Sequence, residues 1–430
     1  MKINLSILDG KILPVIRMIG CEADRLQLTA YLVGGVVRDA LLGEKNFDFD
    51  IVIEGDAVAL AKTVAAHHQA QLTVYHRFGT ATVRFKNGIA VDFTTARSEH
   101  YPHPGALPTV KAGTIGEDLF RRDFTVNAMA AVINPGRYAE LVDCYGGYDD
   151  LKYKKIRVLH DRSFIDDPTR ILRAIRFEQR LRFAIEVRTL RLLKAALTND
   201  AVAAVKPSRY FSEFRKFLTE PSLCRILKRL HAVGGWGFVF KGFCPDWRLL
   251  NRMQKNIAVL GSDEFYRSQD WSVVYLIALF HGQDPAMIEA LSTRFHLTRA
   301  EKAGILAGLQ ASPVLEKLRQ NAGVPSLVYK ILSRVDLETI YFIRAQTSVK
   351  IVARAIDVFL KKSRLTRLQI NGHDLKNLGL EPGHAVGKIL RAVLFKKIDG
   401  EVHGKNEELS AARSAAAGKT VARGGGGMGR

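Results

Sequence analysis

Residues 31–50 read YLVGGVVRDALLGEKNFDFD: an apolar run, a Gly-Gly turn, a short helical pattern and two aspartates one residue apart. Asp48 and Asp50 lie in NFDFDIVI, which alternates as a half-buried strand does. Because strand side chains repeat every two residues, both carboxylates should point to one face. A divalent cation relieves their repulsion, and oxygen ligands suit Mg²⁺, which also binds substrate phosphates. The stretch predicts a mixed α/β unit with a metal site for nucleotide chemistry.

The glycines of this stretch indicate how phosphates would be held. Gly34 and Gly35 allow the backbone to approach a phosphate closely, and Arg38 could pair with one. The segment matches neither the Walker pattern nor GxGxxG. By itself it is a weak signal, and Arg38 could equally be a surface helix residue.

Asp92 in IAVDFTTAR is the best candidate for a third carboxylate, because apolar residues flank it on a predicted strand. Three carboxylates on two adjacent strands would hold two Mg²⁺ ions. One ion would activate an attacking hydroxyl, and the other would stabilise a departing pyrophosphate. The alternative for Asp92 is a solvated strand end.

The segment EDLFRRDFTVNAMA at 117–130 contains a second group of polar residues. Arg121 and Arg122 present planar guanidinium groups suited to phosphate. Asp123 could accept a hydrogen bond from a ribose hydroxyl, and Asn127 would share its face if the segment is helical. The alternative is a helix N-terminus with an intrahelical charge network.

In FIDDPTRILRAIRF at 164–177, Pro168 predicts a helix start with Asp166 or Asp167 as the cap. Asp167 and Arg170 would then share a face at i,i+3. Two further arginines follow on or near that face, Arg173 and Arg176.

The Asp167 and Arg170 pair could read one base edge. An Asp that accepts from an exocyclic amine, beside an Arg that donates to a ring acceptor, suits cytosine and adenine. Uracil and guanine present the reverse pattern and would be rejected. The alternative is an intrahelical salt bridge with a helix cap.

The net charge of +21 favours an anionic polymer as partner. Residues 151–230 alone hold 20 Lys and Arg against 8 Asp and Glu. The four cysteines match neither a zinc site nor a disulfide framework, and reduced thiols are expected. The N-terminus lacks a signal-peptide core, and no apolar run is long enough to span a membrane. We therefore expect a cytoplasmic protein.

The hydrophobic period changes along the chain. Period-2 runs occur early, with strands expected at 30–33, 48–52, 71–75, 80–85 and 89–94, and helical patterns dominate from about residue 165. The Ala- and Gly-rich end should be disordered, because it offers almost no large apolar side chain. The expected domains are 1–155 (catalytic head), 156–220 (neck), 221–345 (body), 346–410 (tail) and 411–430 (disordered).

Four segments together resemble the class II tRNA nucleotidyltransferase and bacterial poly(A) polymerase family. They cover roughly residues 30–180, in the order and at about the spacing of the family. The segments are LVGGVVRDALLG…DFDIVI, RRDFTVNAMA, LVDCYGGYDDLKYKKIRVL and DDPTRILRAIRF.

The resemblance implies an α+β fold, with a mixed sheet of the nucleotidyltransferase fold (polymerase beta-like) as the head. An all-helical neck, body and tail would follow, and the tail would bind tRNA. It implies template-free addition of C or A to an RNA 3′ end, with tRNA, ATP and CTP as partners and no stable protein partner. Asp48 and Asp50 would bind metal, Arg121 to Asp123 the incoming nucleotide, and Asp167 with Arg170 the base.

Two departures from the family leave the specificity open. The family usually has Glu-Asp where this chain has Asp166-Asp167, and residues 96–118 are Pro-rich where relatives have a charged, flexible loop. Complete CCA addition, addition of only CC or only A, and poly(A) synthesis all remain alternatives. An RNA-binding protein with an inactive head is the alternative of another class. LIALFHGQD lacks an adjacent His-Asp pair, so we expect no phosphohydrolase activity.

Overall fold

The computed structural model describes residues 1–8, 10–44, 49–75, 79–198, 205–238, 243–380 and 383–421. The chain divides into two compact units, Met1–Phe243 and Cys244–Arg430. The first contains the strands together with helices, and the second is helical over its described residues. The predicted α+β class is confirmed.

The strands all belong to the first unit. They are β1 (Thr29–Val33), β2 (Asp50–Glu54), β3 (Gln71–Tyr75), β4 (Thr80–Arg84), β5 (Ala90–Thr95), β6 (Arg97–His100), β7 (Thr109–Ala112), β8 (Ala130–Val132), β9 (Leu141–Val142), β10 (Lys155–Ile156) and β11 (Ala184–Ile185).

The helices of the first unit alternate with these strands and then follow them. They are α1 (Ile12–Arg25), α2 (Gly35–Leu42), α3 (Ala57–His67), α4 (Ile115–Phe120), α5 (Gly147–Lys152), α6 (Ser163–Asp166), α7 (Arg170–Leu181), α8 (Val187–Thr198), α9 (Pro207–Leu218) and α10 (Leu223–Ala232). Short 3₁₀ helices occupy Leu5–Ile7, Thr125–Asn127, Pro135–Arg137 and Gly235–Phe238.

Over the described residues, seven strands form one mixed sheet in the order β3-β4-β5-β2-β1-β8-β9. Only β2 and β5 pair in parallel among these neighbours. The run Ile51–Ile53 is buried throughout, as expected of a strand covered on both faces. Asp50 shares the face of Val52, which packs with Tyr31 and with Leu119 of α4. The sheet therefore carries Asp50 on the side of α4, just before Arg121.

Local sequence explains the ends of the helices that border this face. Gly34 at φ +73° precedes α2, and Gly43 at φ +76° ends it in the left-handed conformation that glycine tolerates. Thr114 and Glu117 form a reciprocal capping box at the start of α4. These signals are local, so the elements form where the sequence indicates them.

The predicted strands are confirmed to within two residues, but the segment around Pro168 was predicted wrongly. α6 ends at Asp166, and α7 begins only at Arg170 with Thr169 as its N-cap residue. Asp167 lies between the two helices in an extended conformation, at φ −135° and ψ 90°. The helix predicted from Pro168 therefore begins two residues later, and neither Asp166 nor Asp167 is its N-cap residue. The expected helical neck also contains β11, which pairs in parallel with β10.

The second unit consists of helices over its described residues. They are α11 (Trp247–Leu260), α12 (Glu264–Arg267), α13 (Ser272–Phe280), α14 (Pro285–Phe295), α15 (Arg299–Leu309), α16 (Ala311–Asn321), α17 (Pro325–Leu332), α18 (Leu337–Gln346), α19 (Lys350–Lys361), a 3₁₀ helix (Ser363–Leu365), α20 (Gly372–Asn377), α21 (His384–Asp399) and α22 (Lys405–Val421). α13 packs against α15 and α18, and Val274 to Phe280 are buried.

The prediction of disorder from residue 411 onward was wrong for 411–421, because α22 continues to Val421. Ala412 is fully buried against Ile370 and Leu375. Alanine is the best helix former, and its small side chain permits close packing without large apolar groups. Residues 422–430 lie outside the described part of the chain. None of the described helices is both long and apolar enough for a bilayer crossing.

Candidate active site

A cavity of about 620 Å³ opens in the first unit between the turn after β1, the start of β2, the segment after α4, and α7. Among the described residues, it gathers every predicted site residue except Asp92. Its lining consists of Gly34, Gly35, Arg38, Asp50, Glu99, Tyr101, Arg121, Arg122, Asp123, Asn127, Asp167, Arg170, Arg173, Arg176, Phe177, Arg180 and Lys216.

The carboxylates at one end of the cavity come from the two parallel strands. Asp50 and Asp92 are register partners on β2 and β5, and both are exposed. The pairing extends one residue further, because the Asp92 amide donates to the Phe49 carbonyl at 3.1 Å. Oδ1 of Asp92 accepts a hydrogen bond from Thr82 Oγ1 at 2.5 Å. Asp50 lines the cavity and Asp92 stands beside it, whereas Asp48 lies outside the described residues.

Two carboxylates on adjacent strands supply the hard oxygen donors that divalent cations prefer. The donor set at Asp50 and Asp92 therefore fits a divalent cation. Within the described ranges, no three His, Cys, Asp or Glu side chains come together as a metal site.

The glycine turn is shaped by the arginine packed on it. Gly34 has φ +73°, and its amide donates to the Met129 carbonyl at 3.1 Å. A Cβ at this position would lie 2.7 Å from Nη1 of Arg122. Only glycine satisfies both constraints, so the turn brings backbone and guanidinium together at the cavity wall.

Arg121 and Arg122 are held by a residue that sequence reasoning missed. The buried carboxylate of Asp118 accepts from Arg121 Nη2 at 2.7 Å and from Arg122 Nη2 at 3.0 Å. The i,i+3 and i,i+4 spacing within one helical turn was the available signal. Nε of Arg122 is buried without a hydrogen-bond partner among the described residues, as is Nε of Arg176. Buried unsatisfied donors of this kind point to an absent anionic ligand.

Asp123 is the centre of a buried hydrogen-bond chain. Its Oδ1 accepts from the Phe124 amide and from Asn127 Nδ2, both at 2.9 Å. Its Oδ2 accepts from Arg173 Nε at 2.7 Å and also from Arg173 Nη2. Asn127 in turn accepts from Arg38 Nη1 at 2.5 Å.

These bonds occupy all four lone-pair sites of the Asp123 carboxylate. Asp123 therefore orients Arg173 and, through Asn127, Arg38; a ribose contact would require one of these bonds to break. Burial alone would raise the pKa of Asp123, but the Arg173 ion pair and the Asn127 hydrogen bond outweigh it and hold the pKa below its usual range. Asn127 reaches Asp123 through a 3₁₀ turn, not through the α-helix that the sequence suggested.

Arg170 and Asp167 lie at the other end of the cavity, and each keeps bonding capacity. Arg170 donates to Ser163 Oγ and to the Arg121 carbonyl, both at 2.7 Å, which uses two of its five N–H groups. Oδ1 of Asp167 accepts from the Thr169 hydroxyl at 2.7 Å and from Arg209 Nη2 at 3.2 Å. Among the described contacts, none involves Oδ2 of Asp167. The predicted pair is thus brought to one cavity, although not by a shared helical face.

Phe177 is a second residue that the sequence analysis missed. Its ring lies 5.2 Å from the guanidinium carbons of Arg38 and of Arg176, and 5.6 Å from that of Arg173. One buried ring thereby orders three cations, each through a cation–π contact. Sequence periodicity identified Phe177 only as an apolar position of a helix. It could not show that Arg38, which lies on another helix, contacts the ring.

Glu99 and Tyr101 come from the Pro-rich segment 96–118. Glu99 accepts from Arg121 Nη1 at 3.1 Å and from the Tyr101 hydroxyl at 3.0 Å. Burial raises the pKa of Tyr101 to about 12. β6 pairs with β7 over Arg97–His100, so this part of the segment is ordered against the site.

The arrangement separates two chemical functions within one cavity. Eight of its lining side chains are Arg or Lys, against four Asp or Glu. This excess suits a polyphosphate. Carboxylates for a cation lie at the Asp50 end, and a donor–acceptor pair for a base edge lies at the Asp167 end.

Comparison with known proteins gives consistent matches. The family model described as Poly A polymerase head domain matches residues 30–157. An A-adding tRNA nucleotidyltransferase of Geobacter sulfurreducens is 33% identical over 407 residues, covering 92% of this chain and 46% of that protein. The chain thus spans about half the length of this relative.

Two other matches extend over nearly the full length of both chains. An A-adding tRNA nucleotidyltransferase of Halalkalibacterium halodurans is 32% identical over 421 residues, covering 93% of this chain and 92% of that protein. The solved CCA-adding enzyme of Thermotoga maritima, complexed with tRNA, is 32% identical with a TM-score of 0.73. That match covers 96% of this chain and 97% of the other.

Proposed function

This chain belongs to the tRNA nucleotidyltransferase family, and from that membership we propose that it adds nucleotides to the 3′ end of tRNA without a nucleic-acid template. One observation supports this most directly: the cavity joins Asp50, the Gly34 turn and the Asp167–Arg170 pair. The incoming nucleotides would be ATP or CTP, and the cytoplasm would be the place of action.

The phosphates would occupy the end of the cavity near Gly34. The backbone of Gly34 and Gly35 allows close approach, and Arg122 offers an unsatisfied buried Nε. Arg38 and Arg173 are preset by Asn127 and Asp123. Preorganised donors of this kind stabilise developing phosphate charge without reorganising during the reaction.

Enzymes of this family use divalent metal ions, and we propose Mg²⁺ here. Asp50 would hold it, with Asp48 and Asp92 as the other predicted ligands. When bound, the ion neutralises phosphate charge and lowers the pKa of an attacking hydroxyl.

Base selection would be performed by Asp167 and Arg170. Oδ2 of Asp167 would accept from the exocyclic amine of adenine or cytosine, and Arg170 would donate to the adjacent ring acceptor. Uracil and guanine would instead place an acceptor opposite the Asp167 carboxylate and a donor opposite the Arg170 guanidinium. Because Arg170 is fixed by Ser163 and by the Arg121 carbonyl, its remaining N–H groups would be held in place for the base.

Among the family's products, we propose addition of the terminal A. Of the three relatives described above, which all match over nine-tenths of this chain, two are A-adding enzymes and the third is a CCA-adding enzyme. The pairing of β6 with β7 supports partial addition, of A or of CC, over complete CCA addition, because an ordered segment is less suited to a change of nucleotide from C to A during the reaction.

The decisive experiment supplies three tRNAs, ending before CCA, after C and after CC, with Mg²⁺ and each labelled nucleotide separately. We expect one A on the tRNA that ends in CC and no C on any substrate. Incorporation of C would indicate CCA or CC addition, and long A tails on generic RNA would indicate a poly(A) polymerase. No incorporation at all would contradict the transferase proposal and favour a non-catalytic RNA-binding protein.

A further inference from the structure

A second cavity, of about 830 Å³, adjoins the first within the same unit. Glu99, Tyr101, Arg121 and Arg170 line both cavities and form their common wall. Its volume falls within the range of roughly 300–1,000 Å³ that is usual for ligand pockets. The roles proposed so far leave the rest of this cavity unused.

An aromatic platform occupies its far side. The ring of Phe120 lies 5.6 Å from that of Tyr145 and 5.2 Å from that of His160. The Tyr145 hydroxyl donates to the Gly116 carbonyl at 2.8 Å and fixes its ring. Phe120 is nevertheless 44% exposed. A rigidly held apolar ring that stays exposed beside a cavity is a surface for stacking a flat ligand.

His160 adds to this platform as a neutral ring. Burial, helped by the nearby charge of Arg170, lowers the pKa of His160. The imidazole is therefore uncharged at neutral pH, so its contact with Phe120 adds no positive charge to the platform. The platform is accordingly aromatic and not cationic.

Two adjacent carboxylates diverge into the two cavities. Asp166 is the last residue of α6, and Asp167 follows in an extended conformation. The side chains of Asp166 and Asp167 therefore point in different directions. Asp166 lines the larger cavity, and Asp167 lines the smaller one. The Asp166 side chain is 13% exposed, and its Oδ1 accepts from Arg162 Nη2 at 3.2 Å. An ionised carboxylate only accepts hydrogen bonds, so Asp166 suits a ligand with an amine edge.

The proposed reaction itself requires a second base next to the first. The 3′-hydroxyl oxygen of the RNA attacks the α-phosphorus, the O3′–P bond forms, and the bond to the leaving pyrophosphate breaks. The hydroxyl proton passes to solvent. The terminal nucleotide of the RNA must then lie one nucleotide step from the incoming one.

We propose that the larger cavity receives the base of the RNA's 3′-terminal nucleotide. The base stacks on Phe120 and presents the exocyclic amine of cytosine to Asp166. This inference rests on the proposed function, since addition of the terminal A requires an RNA that ends in C. Asp167 then reads the nucleotide to be added, and Asp166 reads the nucleotide already in place.

The test measures KM for the RNA and KM for ATP separately in Phe120→Ala. We expect KM for a tRNA ending in CC to rise about tenfold, as the loss of one stacked base would cause, with KM for ATP unchanged. Phe120→Trp should restore the RNA value, because it keeps a stacking surface. The matched control is Tyr75→Ala, which removes an aromatic side chain of similar exposure, 51%, from β3 outside both cavities.

A second arm tests the base edge. With RNAs ending in C or in U, wild type should prefer C, and Asp166→Asn should lose most of that preference. A photoreactive 5-iodocytidine at the RNA 3′ end should crosslink wild type within 115–120. Crosslinks elsewhere, an effect of Phe120→Ala on ATP alone, or an RNA KM equal to that of Tyr75→Ala would each overturn the inference. Absence of incorporation by wild type would instead refute the proposed function.

Discussion

At the scale of single residues, Asp50 is exposed at the cavity while Ile51 to Ile53 on β2 are buried, and the proposed function assigns it to the reacting phosphate. We expect Asp50→Asn to abolish nucleotide incorporation and to leave tRNA affinity within about twofold of wild type. Single-turnover incorporation with labelled ATP and a filter-binding assay with tRNA measure the two quantities. If the variant lost both tRNA binding and the circular-dichroism spectrum of the folded protein, Asp50 would be a structural residue.

Asp123 has a different task, since three of its four hydrogen bonds hold the side chains of Asn127 and Arg173. Asp123→Asn leaves Arg173 without its buried partner, so we expect the free energy of unfolding to fall by about 3 kcal/mol. Urea denaturation at pH 7 measures this loss. Glu140→Gln is the control, because it breaks a solvent-accessible ion pair with Arg137 and should leave stability near wild type.

The pH dependence of the same variant follows from the direction of the pKa shift. The pKa of Asp123 is lower in the folded chain than in the unfolded chain, so its contribution is complete above the unfolded pKa. That contribution is lost as pH falls through the folded pKa. Between about pH 5 and pH 3, wild type should therefore lose more stability than Asp123→Asn. Parallel profiles for the two proteins would contradict the assigned role.

At this scale, the sequence could predict a feature when it depends on the residue types themselves, but not when it depends on contacts between distant residues. Asp167 and Arg170 were identified correctly as neighbours at one site, because their residue types already encode a donor and an acceptor. The support of Arg173 by Asp123 could not be predicted, since it joins residues 50 positions apart. Phe177 was missed for the same reason. The pattern identifies chemical groups, whereas pairing depends on the tertiary fold.

At the scale of elements, two glycine substitutions show whether Gly34 before α2 is needed for its backbone conformation or for the contact with Arg122. Gly34→Ala places an alanine at φ +73° and ψ −127°, outside the left-handed helical region, so its strain should exceed the roughly 1–2 kcal/mol of a left-handed alanine. It also displaces Arg122, whose Nη1 would lie 2.7 Å from the new Cβ. Gly43→Ala is a matched control, because its φ is +76° and nothing lies within 4 Å of its Cβ.

We expect both variants to lose stability, Gly34→Ala more than Gly43→Ala, but only Gly34→Ala to weaken ATP binding, by roughly tenfold as for one charge-assisted contact. Thermal unfolding and equilibrium ATP titration separate the two effects. Equal ATP affinity in both variants would mean that Arg122 does not contact the nucleotide.

Element boundaries were predictable where the signals were local. The strands from 71 to 95 follow from the alternation of apolar and polar residues. The start of α7 was not predictable, because Asp167 is drawn to Thr169 and Arg209 instead of capping a helix. α22 was missed because alanine carries little hydrophobic signal, although it packs well.

At the scale of the whole molecule, charge is the property that the sequence states most reliably. The net charge is +21, and residues 151–230 contribute +12 of it (20 basic minus 8 acidic residues). Some of these cations are paired within the protein, as Arg229 is with Glu178 and Arg173 is with Asp123. Others stay exposed on α8, including Arg191 and Lys194. Composition gives the sum, and the structure shows which charges remain for a partner.

The exposed cations should bind RNA phosphates and release counterions, so tRNA affinity should fall steeply with salt. We expect log K against log salt concentration to have a slope steeper than about −3, corresponding to four or more phosphate contacts. Replacing both Arg191 and Lys194 by Gln should make the slope shallower by about 1.5. Arg137→Gln, which removes an ion-paired cation outside residues 151–230, should leave the slope unchanged. Fluorescence anisotropy between 50 and 300 mM KCl measures these slopes, and a flat response in wild type would show that this basic segment does not carry the RNA.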